Sequence, residues 1–251
     1  MKKTVLLACM LTALLAAGIA EPIVFYTGEW EPFTGSQLPN KGIATEIVIE
    51  ACKAAGIESK FEFVPWTRAE NMVANGTAFG TYPYAKNDER AAKYYFSEVM
   101  LYTSTGFVYY EPKKNLSNVS IQNWTALKPY SLIYLTGSWL ENDIKANGIA
   151  VTLVNDLDSA VRMLYAGRSD MICEEPVAVL SAVKKLYPNE ADKFKVINTN
   201  MFGGKNPVFL MVSKTYPGAR ELLAKFNGGL ATIRANGVLK GIASKYGITI
   251  D

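Results

Sequence analysis

Arg90 lies in a stretch suited to anion recognition, Asn87-Asp88-Glu89-Arg90-Ala91-Ala92-Lys93-Tyr94-Tyr95-Phe96-Ser97, just after Tyr82-Pro83-Tyr84. A guanidinium is always charged and presents a planar fork of donors that matches a carboxylate. Two readings stand at this point: a solvated charge paired with Asp88 or Glu89, or the anchor of an anion pocket. Opposite charge is offered by Glu174-Glu175-Pro176, although proline suits a helix's first turn and acids there also complement the helix dipole. Thr136-Gly137-Ser138 stands between an apolar run and a helical one. Free N–H groups at such a junction attract anions, and Ser138 is equally a helix cap. Trp30, Trp66, Tyr82 and Tyr84 supply aromatic faces able to clamp an apolar group or a cation, against the plainer role of core packing.

Other chemistries are excluded. The chain holds no histidine, which removes a Ser-His-Asp triad, the commonest general base and the commonest metal ligand. Nothing in the sequence calls for a metal or another cofactor. Met1-Lys2-Lys3, an apolar run from Val5 to Ile19 and small residues ending at Ala20 describe a secretory signal peptide over residues 1–20. Leu6-Leu7-Ala8-Cys9 looks like a lipoprotein box, but only Val5 to Ala8 separate it from the basic start, too short an apolar core. Losing Lys2 and Lys3 takes the formal charge from +3 to +1, so the basic surface that nucleic acid requires is missing. Cys52 and Cys173 remain, both in apolar segments, where a buried inert thiol is expected rather than a disulfide framework.

The elements that must position these groups alternate between strand and helix. Ile23 to Thr27 reads as a strand, Ile43 to Ala55 as an amphipathic helix stopped by Gly56, Lys60 to Val64 as a strand and Thr67 to Ala74 as a helix. After the polar break Glu111 to Asn115, Ser131 to Leu135 and Asp170 to Cys173 read as strands. Helical runs are expected from Ser138, from Asp156 and over Val177 to Leu186. Pro207 to Ser213 returns to strand, and helices over Gly218 to Arg234 and Val238 to Tyr246 close the chain. Such alternation predicts parallel α/β layers.

Several segments, in order, resemble the bacterial periplasmic solute-binding proteins of polar amino-acid ABC transporters (extracellular solute-binding protein family 3). They are Trp30-Glu31-Pro32-Phe33 with Gly42 to Ile47; Arg90 to Ser97; Leu127-Lys128 with Thr136 to Trp139; Ala166 to Glu175; and Leu230 to Tyr246. The resemblance implies a two-lobed α/β fold of type II with two crossing strands as the hinge, near Tyr102 to Phe107 and Lys205 to Val208. Residues 21–105 and 207–251 would form one lobe and residues 106–206 the other. It implies Arg90 on a ligand carboxylate, opposed by Gly137 and Ser138, and Glu175, with Glu174 as fallback, on the ligand's ammonium group. Trp30, Trp66, Tyr82 and Tyr84 would line the cleft. A monomeric periplasmic protein that hands its solute to an inner-membrane ABC permease is the implied function.

The chain departs from the family's commoner pattern at Thr27, where an acid is frequent, at Arg68, where a small residue is usual, and at Tyr82-Pro83-Tyr84, which replaces a hydroxyl-rich stretch. Arg68 thus joins the candidate ligand-binding residues as a second cation. The pocket becomes more aromatic, which admits a dicarboxylate or an aromatic amino-acid derivative. Two rivals stand beside the transport reading. One is a dehydratase-like periplasmic enzyme on the same fold, using Glu174, Glu175 and Tyr82 as acid–base groups. The other is a sensory protein that presents its ligand to a membrane receptor.

Overall fold

A computed structural model describes residues 21–197 and 199–246; the expected signal peptide lies outside them. The chain runs β1 (Ile23–Thr27), α1 (Ile43–Ala54), β2 (Ser59–Phe63), α2 (Trp66–Ala74), β3 (Gly80–Ala85), α3 (Asp88–Lys93), β4 (Tyr94–Phe96) and β5 (Leu101–Thr103). It continues through β6 (Gly106–Tyr110), α4 (Trp124–Leu127), β7 (Ser131–Leu135), α5 (Glu141–Ala146), β8 (Ala150–Val154) and α6 (Leu157–Tyr165). Then follow β9 (Met171–Glu174), α7 (Pro176–Leu186), β10 (Phe194–Ile197), β11 (Asn206–Ser213), α8 (Ala219–Ala235) and α9 (Val238–Lys245).

Two sheets result. The first is ordered β2-β1-β3-β11-β4, with β5 also on β11; the second is ordered β10-β6-β9-β7-β8. In the first, β2, β1 and β3 are parallel and β11 runs against β3, β4 and β5. In the second, β7 pairs in parallel with β8 and β9, while β6 runs antiparallel between β9 and β10. The chain passes from the first sheet to the second at Ser104-Thr105 and returns between β10 and β11. Asn206 joins the two passages, its Nδ2 donating to Thr105 Oγ1 at 3.0 Å.

The first sheet's core follows from the periodicity of α1, which buries Ile43, Ile47, Val48, Ala51 and Cys52. These pack toward α8, where Gly229 allows close approach: a Cβ there would lie 2.0 Å from the Ala51 carbonyl oxygen. Cys52 and Cys173 are buried and unpaired, and burial pushes the Cys52 thiol up to about 12. Among the described residues no helix is long and apolar enough to cross a membrane, and no His/Cys/Asp/Glu group could hold a metal ion.

Most elements lie within one or two residues of their expected places. The helix expected from Ser138 does not. Leu135 ends β7, and residues 136–140 form a turn before α5 begins at Glu141. Gly137 adopts φ +75°, a left-handed conformation that a side chain resists and that no helix continues. Tyr134 Oη accepts from the Leu140 N–H at 2.9 Å and holds the turn to the strand.

Candidate functional site

The site lies where strands of both sheets end. In an open parallel sheet, side chains just past the carboxyl ends of strands face a crevice, because the backbone there leaves the ladder. Here Trp30 follows β1, Trp66 follows β2, Tyr84 and Ala85 close β3, Thr136 to Trp139 follow β7, and Glu174 ends β9. With Arg90 from α3, Thr103, Ser104, Thr105 and Asn206 from the passages between sheets, they line a cleft that opens to solvent.

Arg90 is 9% exposed. Its own backbone N–H caps onto Asn87 Oδ1 at 2.9 Å, which fixes the start of α3. Nη1 donates to the Ala85 carbonyl at 3.3 Å, and Nη2 to the Gly137 carbonyl at 3.0 Å and Glu70 Oε2 at 3.4 Å. The guanidinium lies 4.8 Å from the centre of the Tyr84 ring, within cation–π range. Neither Asp88 nor Glu89 pairs with it; Glu89 takes Lys93 instead. Arg90 thus reaches from the first sheet to a turn of the second.

Tyr84 donates its hydroxyl to the Trp66 carbonyl at 3.3 Å and meets the Trp66 ring edge-on at 5.7 Å. Burial holds its phenol above the ordinary value. Trp66 lies flat against Gly28, where a Cβ would come within 2.3 Å of the indole. Trp30 stacks on Phe33 at 4.4 Å.

The two acids part company. Glu175 caps α7, and its carboxylate accepts from the Ser104 N–H, from Ser104 Oγ at 3.0 Å and from the Val177 N–H at 3.4 Å. It is buried and does not line the cleft. Glu174 does line it, accepting the Glu175 N–H on Oε1 at 2.9 Å. Burial, together with the neighbouring Glu175 charge, pushes the Glu174 carboxyl up to about 7.

Three further expectations need correction. Tyr82 is fully buried beneath the cleft, between Phe25 and Phe61, with its hydroxyl on Thr45 Oγ1 at 3.2 Å. It sits mid-strand in β3, too deep to reach the crevice. Arg68 is exposed on α2 and lines no part of the cleft. Gly137 and Ser138 do line it, but their N–H groups are occupied, by Glu141 Oε2 at 2.6 Å and the Leu135 carbonyl at 3.2 Å. Gly137 presents its carbonyl to Arg90 rather than a free amide to an anion.

Sequence reasoning missed Ser104, Thr105, Asn206 and Trp139 as lining residues. The first three fall inside the expected crossing segments, and Trp139 ends the quoted Thr136-Gly137-Ser138-Trp139 motif, so the signal was present but lacked side-chain direction.

Residues 23–249 match the bacterial extracellular solute-binding proteins, family 3. Solved structures share the fold. The substrate-binding protein of an amino acid ABC transporter is 18% identical with a TM-score of 0.72, covering 89% of this chain and 97% of that one. The arginine-, lysine-, histidine-binding protein ArtJ from Geobacillus stearothermophilus is 18% identical, TM-score 0.74, with 90% and 94% covered. A histidine kinase sensor domain with similarity to periplasmic binding proteins is 16% identical, TM-score 0.76, with 90% and 95% covered. No protein of curated function matches the chain. The two-sheet α/β architecture is therefore that of type II periplasmic-binding-protein-like structures. This chain belongs to the bacterial extracellular solute-binding proteins, family 3, and is a ligand-binding protein rather than an enzyme.

Proposed function

We propose that this protein captures a small amino-acid-like or carboxylate solute in the periplasm and hands it to an inner-membrane ABC permease. One observation carries the reading: among the described residues the charged side chains lining the cleft are one guanidinium, Arg90, and one carboxylate, Glu174. A zwitterion complements that pair, with its carboxylate on Arg90 and its ammonium on Glu174, between walls of Trp30, Trp66 and Tyr84. Glu174 takes the part that family resemblance gives to Glu175, whose carboxylate is spent on Ser104.

Residues 21–105 and 207–251 form one moving body and residues 106–206 the other, hinged at the two passages between the sheets. Docking moves Arg90 from the Gly137 carbonyl to the solute, so that the solute replaces a contact between the two bodies. Ligand binding then selects the closed population, and the closed monomer is the form presented to the permease.

Titration calorimetry of ligand-stripped protein against a panel of amino acids and small carboxylic acids tests this. The account expects at least one tight binder, and Arg90→Ala to weaken it by about a hundredfold or more, the scale of removing a buried charge partner. Unchanged affinity in that variant contradicts the assignment.

A further inference from the structure

Glu174 is an unusual acid to leave in a binding cleft. Oε1 accepts one N–H, from Glu175, and Glu174 takes part in no ion pair among the described residues. Its sequence neighbour is a second carboxylate, itself without a cation among the described residues. In its own lobe Cys173 and Tyr134 lie near it, and both are held above their ordinary values first by burial and then by its charge. Across the cleft stand Tyr84 and Arg90, the one lining cation among the described residues, which is committed to Gly137, Ala85 and Glu70. Lys205, next to Asn206, lies over the Tyr102 ring at 5.9 Å. The remaining walls mix Trp30, Trp66, Leu135 and Trp139 with the hydroxyls of Ser104, Thr105 and Thr136. A carboxylate with one backbone donor and no cation, beside a second carboxylate, is stabilised by taking up a proton.

We propose that Glu174 carries a proton in the empty cleft and releases it to solvent when an ammonium-bearing solute docks, so that one cleft serves two ligand chemistries. This rests on the reading of the cleft as a solute site. With the proton on, Arg90 is the only charge lining the cleft among the described residues, which complements a carboxylate lacking an amine. With the proton off, the pair complements an amino acid. The two classes therefore respond to pH in opposite senses. Binding of the amino acid is favoured as pH rises through the Glu174 midpoint, and binding of the simple carboxylate is disfavoured. Proton exchange of this kind makes Glu174 a specificity-determining group rather than a fixed ammonium acceptor.

The decisive experiment is a pH titration of tryptophan fluorescence in the ligand-stripped full chain, since Trp66 and Trp139 share the cleft with Glu174. The wild type should show a one-proton step near the Glu174 value of about 7, Glu175→Gln should keep the step but move it to lower pH, and Glu174→Gln should lose it. Difference infrared spectra of the wild type across the same range should show a protonated carboxyl band disappearing, whether or not the variant folds. Calorimetry with L-phenylalanine and 3-phenylpropionate reads the consequence. Between about pH 6 and about pH 8 the first should gain about tenfold in affinity and the second lose about tenfold, both flat in Glu174→Gln. Absence of the step in the wild type, or its survival in Glu174→Gln, overturns the proposal even if neither compound binds. Failure of every solute to bind with the step intact would instead count against the transport reading alone.

Discussion

Glu174 and Glu175 adjoin in sequence yet face opposite ways, as successive residues at a strand end do. One lines the cleft and the other fastens the passage between sheets through Ser104. The folded chain holds the Glu174 proton to about pH 7, whereas the ordinary value is 4.5. Stability from this group is therefore fully present below the ordinary value, falls as pH rises between the two, and stays low above the folded value. Glu174→Gln lacks that loss, so its melting temperature relative to wild type should climb between about pH 5 and about pH 8. A constant difference across that range would contradict the sign. Glu175→Ala leaves the Ser104 donors without an acceptor and should cost about 1–3 kcal/mol in a denaturant titration. That an acid at this strand end meets the cleft was legible in the sequence. Which acid was not, because the choice depends on where β9 stops, and capping by Glu175 before Pro176 decides it.

At the scale of elements, periodicity found α1, and apolar runs found β1, β7 and β11, because those segments bury one face or both. The turn after β7 was expected over Thr136-Gly137-Ser138 and runs on until α5 begins at Glu141. Residues 138–146 alone look helical, and the left-handed Gly137 with the Tyr134–Leu140 bond delays the helix to Glu141. The period of two predicts one face of β3 for Tyr82 and Tyr84, yet Tyr82 packs toward Thr45 of α1 and Tyr84 toward Trp66 of α2, where the β3–β11 register shifts, a change the sequence does not carry. The α1–α8 packing rests on a missing side chain. Gly229→Ala would set a methyl group against the Ala51 carbonyl, at a cost of about 2 kcal/mol and a fall of several degrees in melting temperature. An unchanged melting temperature would mean that the helices separate freely.

At the scale of the molecule, the two sheets meet through a small set of contacts at the strand ends. Arg90 on the Gly137 carbonyl and Asn206 on Thr105 tie them together. The ordered set of segments across the chain, rather than any one of them, made this architecture legible, since strand order and crossings follow from the succession of elements. Closure on a solute is the central claim, and small-angle X-ray scattering tests it most directly. The account predicts that the radius of gyration of ligand-stripped protein shrinks on adding at least one amino acid or small carboxylic acid, and that Arg90→Ala abolishes the change. A radius of gyration unmoved by every member of such a panel would contradict it.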